Sequence, residues 1–128
     1  MSNVGQAVQK GWALVNAALC FVVLPGVLAL HYVAYLAFLD HGHWPVWGDP
    51  ESWSMDRWLN PTATDQFIGS VVGLGILFAF LGIWSALGGI LTTISVYRFS
   101  IAHQKWNLLL FGLSFIIISS EFTYWWLD

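Results

Sequence analysis

The chain has 128 residues, of which 58% are hydrophobic and 9% are charged, and its formal net charge is -3. Soluble domains are about 45–50% apolar and about 25% charged, so this composition excludes an ordinary water-soluble fold and indicates a chain solvated by lipid. The four Lys and Arg residues exclude a nucleic-acid-binding face. Because a helical crossing needs about 20 apolar residues, the sequence predicts an all-α integral membrane protein with three transmembrane helices in a single domain, residues 1–128.

The first predicted helix spans residues 12–39 and has no formal charge. Pro25, in the middle of it, removes one backbone hydrogen bond and predicts a bend. His31 lies about two turns from the far end, and an ionisable residue at that depth is costly enough to indicate a functional role. A neutral imidazole there is a candidate contact for haem iron, the magnesium of a chlorophyll-type pigment, a quinone, or Glu121 of the third helix. The alternative is a structural histidine bonded to a backbone carbonyl or to another helix.

The loop that follows, residues 40–66, is rich in tryptophan. Tryptophan is enriched where a membrane meets water, so these side chains are predicted to be interface anchors, together with two at the end of the third helix: Trp44, Trp47, Trp53, Trp58, Trp125 and Trp126. Contacts with a neighbouring subunit or a pigment are the alternative. The segment PESWSMDRW is expected to form a short amphipathic helix in the headgroup layer.

The second predicted helix spans residues 67–97 and follows the segment TATDQ, in which Thr62, Thr64 or Asp65 is expected to cap it. Small residues recur along this helix at spacings of 4, 3, 4 and 3, which places them on one face: Gly75, Ala79, Gly82, Ala86 and Gly89. We call these five residues the seam. In lipid, close packing through small residues is a main source of helix association, so the seam is predicted to contact the first or third helix of this chain, or a helix of another chain.

The third predicted helix spans residues 106–126. Lys10, Arg98 and Lys105 lie at the same ends of the three helices, and basic residues in short flanks mark the cytoplasmic side. The expected topology therefore has the N-terminus in the cytoplasm, with the loop of residues 40–66 and the C-terminus outside, in a bacterial inner membrane.

Two resemblances concern the first helix. The segment ALHYVAYLAF, followed by tryptophans, resembles the antenna polypeptides of purple photosynthetic bacteria over about twenty residues, although Val27 stands where those chains have alanine and the number of crossings differs. A small three-helix chain with one membrane histidine also looks like a membrane-anchor subunit of the succinate dehydrogenase class. Neither resemblance assigns a role to individual residues.

Catalytic and metal motifs are not found in the sequence. The single cysteine, Cys20, excludes a disulfide within the chain and a CxxC zinc site, and His41 and His43 lack a third ligand nearby. The expected function is therefore a non-catalytic accessory subunit of a larger membrane complex, photosynthetic or respiratory, whose partners are lipids and other transmembrane subunits. A membrane anchor that holds a tetrapyrrole or a quinone at His31 is the alternative, and a small oligomeric transporter is a third.

Overall fold

The computed structural model describes residues 3–46, 62–98 and 100–127. These residues form three long helices and one short one: α1 (Asn3–His41), α2 (Ala63–Tyr97), α3 (Ile101–Ser119) and α4 (Glu121–Leu127). Within the described ranges there is no strand. The three long helices are long and apolar enough to cross a membrane, which confirms the all-helical class and the number of such helices.

Helix α1 begins nine residues before the predicted start, at Asn3 in place of Trp12. The added segment contains Gln6, Ala7 and Lys10, which are good helix formers, and the side chain of Gln9 is buried there, with its Nε2 donating to the carbonyl of His103 at 3.4 Å. Pro25 lies inside α1 without ending it. At about 1.5 Å per residue the helix is roughly 58 Å long, so it exceeds a bilayer core of about 30 Å.

Helix α2 begins at a capping box. The Thr62 side chain accepts from the Asp65 backbone N–H at 3.1 Å, and the Asp65 carboxylate accepts from the Thr62 backbone N–H at 3.1 Å. Thr62 is therefore confirmed as the cap, and the helix starts at Ala63, four residues before the predicted start. It ends at Tyr97, and the C-cap residue that follows, Arg98, has a φ of 56° and a ψ of −160°, a region that L residues rarely adopt.

The helix predicted over residues 106–126 starts earlier in the structure and is interrupted before its end. Helix α3 starts at Ile101, where the Tyr97 and His103 rings stack with centroids 4.0 Å apart. It ends at Ser119, because Ser120 is extended and its hydroxyl accepts the backbone N–H of Phe122. Serine side chains compete with helical backbone hydrogen bonds in this way, and α4 continues after the break.

The three long helices pack against one another pairwise. Trp12 lies on Gly88 and Gly26 lies on Gly75, so α1 and α2 are antiparallel. Asn16 bonds to Asn107 and Gln9 to His103, so α3 runs parallel to α1. We call the end of the bundle where α1 begins the N-terminal end and the other the C-terminal end. The core between the helices is formed mainly by Val, Leu, Ile and Ala side chains.

Candidate functional site

The seam on α2 is buried at all five positions. Near the C-terminal end it meets α1 backbone to backbone: a Cβ placed on Gly75 would lie 2.5 Å from the Cα of Gly26, and the reverse is also true. Neither helix can approach so closely unless both positions are glycine. The seam therefore allows close contact with the first helix of the same chain at this level.

Towards the middle of the bundle the seam faces α3. A Cβ on Gly82 would lie 3.0 Å from both a methyl group of Leu110 and the hydroxyl of Ser114. At Gly89 the added atom would lie 2.5 Å from the side-chain amides of Asn16 and Asn107. The missing side chain at Gly89 is thus what makes room for two polar side chains between the three helices.

Those two amides belong to a network of hydrogen bonds that joins α1, α2 and α3. The Asn16 amide nitrogen donates to Asn107 Oδ1 at 2.6 Å and to the Ser85 carbonyl at 3.3 Å, and the Ser85 hydroxyl donates to Asn16 Oδ1. The Asn107 amide nitrogen donates to Gln104 Oε1 at 2.7 Å and to the Thr93 hydroxyl at 3.3 Å. Gln104 in turn donates to the Ile90 carbonyl at 3.1 Å. We call Asn16, Ser85, Thr93, Gln104 and Asn107 the polar network.

The polar network is neutral and its amides are bonded to one another. Asn16, Gln104 and Asn107 are at most 1% exposed, and each of their amide oxygens accepts a hydrogen bond from another member of the network. Amide and hydroxyl groups do not titrate near neutral pH, so the network is uncharged. It holds the three helices in register, and each interhelical bond of this kind stabilises a membrane bundle by about 0.6 kcal/mol on average.

Gln104 and Asn107 are functional candidates that were not predicted from the sequence. Their spacing could have indicated interhelical hydrogen bonds, because Gln104 and Asn107 are three residues apart and so lie on the same side of a helix. Both also lie at the same end of the bundle as Asn16. A pair of amides near the start of an apolar helix, facing a third on another helix, predicts interhelical bonds.

His31 lies on the exposed surface of α1, away from the core between the helices. Its Nδ1 is 2.7 Å from the carbonyl oxygen of Val27, one turn earlier in the same helix. The ring meets Phe122 of α4 edge to face, with centroids 5.6 Å apart and planes at 83°. Of the expected alternatives, the structure shows the backbone-carbonyl bond, and it shows no bond from His31 to another helix within the described residues.

Glu121 does not pair with His31 in the described structure. Glu121 is exposed on the first turn of α4, and the neighbouring residue, Phe122, contacts the imidazole instead. The Phe122 ring supplies packing without charge.

The predicted anchor Trp44 is about half exposed and belongs to an aromatic cluster at the C-terminal end. Its ring stacks on Phe38 at 4.8 Å and lies 6.4 Å from Tyr35 and 5.8 Å from Phe122. Because Phe122 also contacts His31, the fold brings the predicted candidates His31 and Trp44 to one patch. Trp47, Trp53 and Trp58, with the PESWSMDRW segment, lie outside the described residues.

The remaining two predicted anchors, Trp125 and Trp126, lie on α4. Trp125 is only 5% exposed and belongs to the core. Trp126 is half-buried and its ring is 3.9 Å from where a Cβ on Gly69 would lie.

Comparisons with known proteins supply no relative. The sequence matches no protein-family model, no curated protein and no solved structure. Among the described residues there is no group of three or more His, Cys, Asp or Glu that could hold a metal ion. The features of the chain that bear on a function are the seam, the polar network and the patch around His31.

Proposed function

We propose that this chain is a non-catalytic accessory subunit of a larger membrane complex of the bioenergetic class, photosynthetic or respiratory, that acts by helix packing and by contacts with lipids or pigments. The observation that carries the proposal is the division of its side chains. Polar groups are used inside the bundle to fix three helices, whereas large apolar side chains cover the outside.

The exposed surface supports this division. Large apolar side chains lie outward along all three long helices, and these seven are each more than 65% exposed: Val4, Leu14, Phe21, Phe67, Trp84, Leu91 and Ile101. Exposure of such a surface to water is unfavourable, and soluble monomers rarely expose apolar patches larger than a few hundred Å². Acyl chains or neighbouring transmembrane helices are the environments that suit it.

The burial of the seam restricts the surfaces that remain for partner subunits. Because Gly75, Gly82 and Gly89 are occupied by helices of this chain, the seam is not available to another polypeptide. Partner helices therefore contact the outward faces, where side chains such as Leu14 and Trp84 are 74% exposed.

The proposed orientation has the N-terminus and the α2–α3 connection in the cytoplasm of a bacterial cell, because Lys10, Arg98 and Lys105 lie at that end. In a variant without Cys20, a cysteine at Ser52 should react with an impermeant maleimide in intact cells, and a cysteine at Ser100 should not. The opposite result would invert the topology.

Purification from the native membrane tests the main proposal. The tagged chain, extracted in a mild detergent, should elute with a fixed set of other membrane polypeptides in constant ratio. An equally abundant tagged membrane protein from the same cells is the control for adventitious binding. Recovery of the chain alone, as a monomer or a homo-oligomer, would contradict an accessory role.

A second candidate is supported by one specific observation. His31 is exposed on the outer face of α1 and makes no interhelical hydrogen bond within the described residues, so a membrane anchor that holds a cofactor at this position fits the geometry. The transporter alternative has less support, because the amide oxygens of the polar network are already bonded within the chain.

A further inference from the structure

A groove lies on the outer flank of α1 near the N-terminal end of the bundle. Its volume is about 420 Å³, and it is lined by Val8, Gly11, Trp12 and Val15, which occupy positions i, i+3, i+4 and i+7 of one helical face. A Cβ on Gly11 would meet no neighbouring atom of the described residues within 4 Å, so the missing side chain keeps the groove open. Ligand sites have volumes of about 300–1,000 Å³, so part of an organic molecule fits here.

The groove continues along α2 towards its last residue. The Trp12 ring lies against Gly88, where an added Cβ would be 2.8 Å from the ring. Spacings of three, four and three residues then place Leu91, Ser95 and Arg98 on the same face of α2, and all three are exposed. Arg98 is about 15 Å beyond Gly88 at about 1.5 Å per residue. Half of a bilayer core is also about 15 Å thick, so one acyl chain connects the two levels.

The charges of the described residues are separated between the two ends of the bundle. The basic residues Lys10, Arg98 and Lys105 lie at the N-terminal end, and the carboxylates lie at the C-terminal end: Asp40, Asp65 and Glu121. Within the described ranges, the basic end therefore contains no side-chain carboxylate. Basic pockets between transmembrane helices on the cytoplasmic side bind anionic lipid headgroups, so the charge at this end complements such a lipid.

Arg98 is the basic residue that the fold places on the face of the groove. Lys10 is at least about 100° around α1 from every lining residue, because each residue turns the helix by about 100°. Lys105 holds its Nζ 5.5 Å from the ring centroid of the residue that follows it. The other two titratable side chains described at this end, Tyr97 and His103, stack on each other. A guanidinium matches phosphate oxygens with two parallel N–H donors, so Arg98 suits a headgroup phosphate.

We propose that the groove and Arg98 together bind one anionic glycerophospholipid, with an acyl chain along Trp12 and the phosphate at Arg98. This inference specifies the lipid contacts of the proposed function, and it rests on the proposed orientation only in assigning the lipid to the cytoplasmic leaflet. It requires no partner subunit, so its failure would leave the co-purification result unaffected.

Native mass spectrometry of the purified full-length chain tests the headgroup contact. The chain is mixed with equal amounts of phosphatidylglycerol and phosphatidylcholine that have identical acyl chains. It should retain one phosphatidylglycerol with a preference of about fivefold, the scale expected for one basic residue next to an anionic lipid. Arg98→Gln should remove this preference and Arg98→Lys should restore most of it. Lys105→Gln should leave it unchanged.

Two groove variants test the acyl-chain contact. Gly11→Leu fills the groove with a side chain that enters open space, and Val15→Phe narrows the groove from its other end. Both should lower the retention of both lipids. The matched control is Gly73→Leu, at an exposed glycine of α2 where a Cβ also meets nothing within 4 Å, and it should lower neither. Circular dichroism and size-exclusion chromatography show which variants keep their fold.

Four results would overturn the assignment. Equal retention of the two lipids by the unaltered chain would remove the case for an anionic headgroup, and an unchanged preference in Arg98→Gln would remove the role of Arg98. Unchanged retention by the folded groove variants would remove the acyl-chain contact. Release of the lipid by excess inorganic phosphate would show that Arg98 binds a free anion instead.

Discussion

Replacing Gly75 with alanine tests the closest contact in the bundle. The new Cβ would lie 2.5 Å from the Cα of Gly26, about 0.9 Å short of the 3.4 Å at which ordinary van der Waals contact begins. Backbone atoms cannot rotate away as a side chain can, so α1 and α2 must separate by about that distance at the crossing. Overpacking of this kind costs about 1–3 kcal/mol.

The matched control is Gly73→Ala, on the same helix, where a Cβ would meet nothing within 4 Å. Both substitutions gain the same helix propensity, about 1 kcal/mol, so their difference isolates the steric effect. We expect Gly75→Ala to be less stable than Gly73→Ala by about 1–3 kcal/mol. Gly26→Ala should resemble Gly75→Ala, and the effects of the two should not add because the residues touch.

Reversible unfolding in mixed micelles, with increasing SDS fraction and circular dichroism as the readout, measures these differences. Equal stability of Gly75→Ala and Gly73→Ala would refute the backbone contact. A loss of stability in Gly73→Ala alone would show that the opposite face of α2 is the packed one.

Two further predictions use the same unfolding assay. Asn107→Leu removes the bonds to Asn16, Thr93 and Gln104 and should lower the free energy of unfolding by about 1–2 kcal/mol. The control, Ser119→Ala, breaks bonds only to carbonyls of its own helix and should have little effect. Equal stability of the two variants would contradict a stabilising role of the polar network. Arg98→Gly should stabilise the chain by about 1 kcal/mol, because glycine adopts the positive φ at this position without strain. Arg98→Ala keeps the backbone strain and should not increase the stability. A gain in stability in both variants would show that the loss of the positive charge causes the effect.

The helices and the buried face of α2 could be predicted from the sequence, but the helices that cover that face could not. Spacings of four and three residues place Gly75, Gly82 and Gly89 together whichever helix packs on them. The choice between α1, α3 and another chain depends on the three-dimensional positions of Gly26, Leu110 and Asn107. Periodicity within one helix does not contain that information.

The end of the third helix shows a different limit. Apolar periodicity predicts that residues 106–126 continue as one helix, because serine is tolerated in helices when its hydroxyl bonds one turn back. The Ser119 hydroxyl does so, donating to the Phe115 carbonyl at 2.7 Å, while the next serine accepts the N–H of Phe122 and ends the helix. Apolar periodicity does not distinguish these two adjacent serines, so it cannot place the interruption of the helix.

The bonds between Asn16 and Ser85 affect the order in which the helices can pair during synthesis of the chain. They run in both directions, from the serine hydroxyl to the amide oxygen and from the amide nitrogen to the serine carbonyl, and they involve only α1 and α2. The Gly26–Gly75 contact also needs only these two helices. A hairpin of α1 and α2 emerging from the ribosome can therefore pair before α3 is translated, with one amide N–H of Asn16 kept for the Asn107 that arrives last.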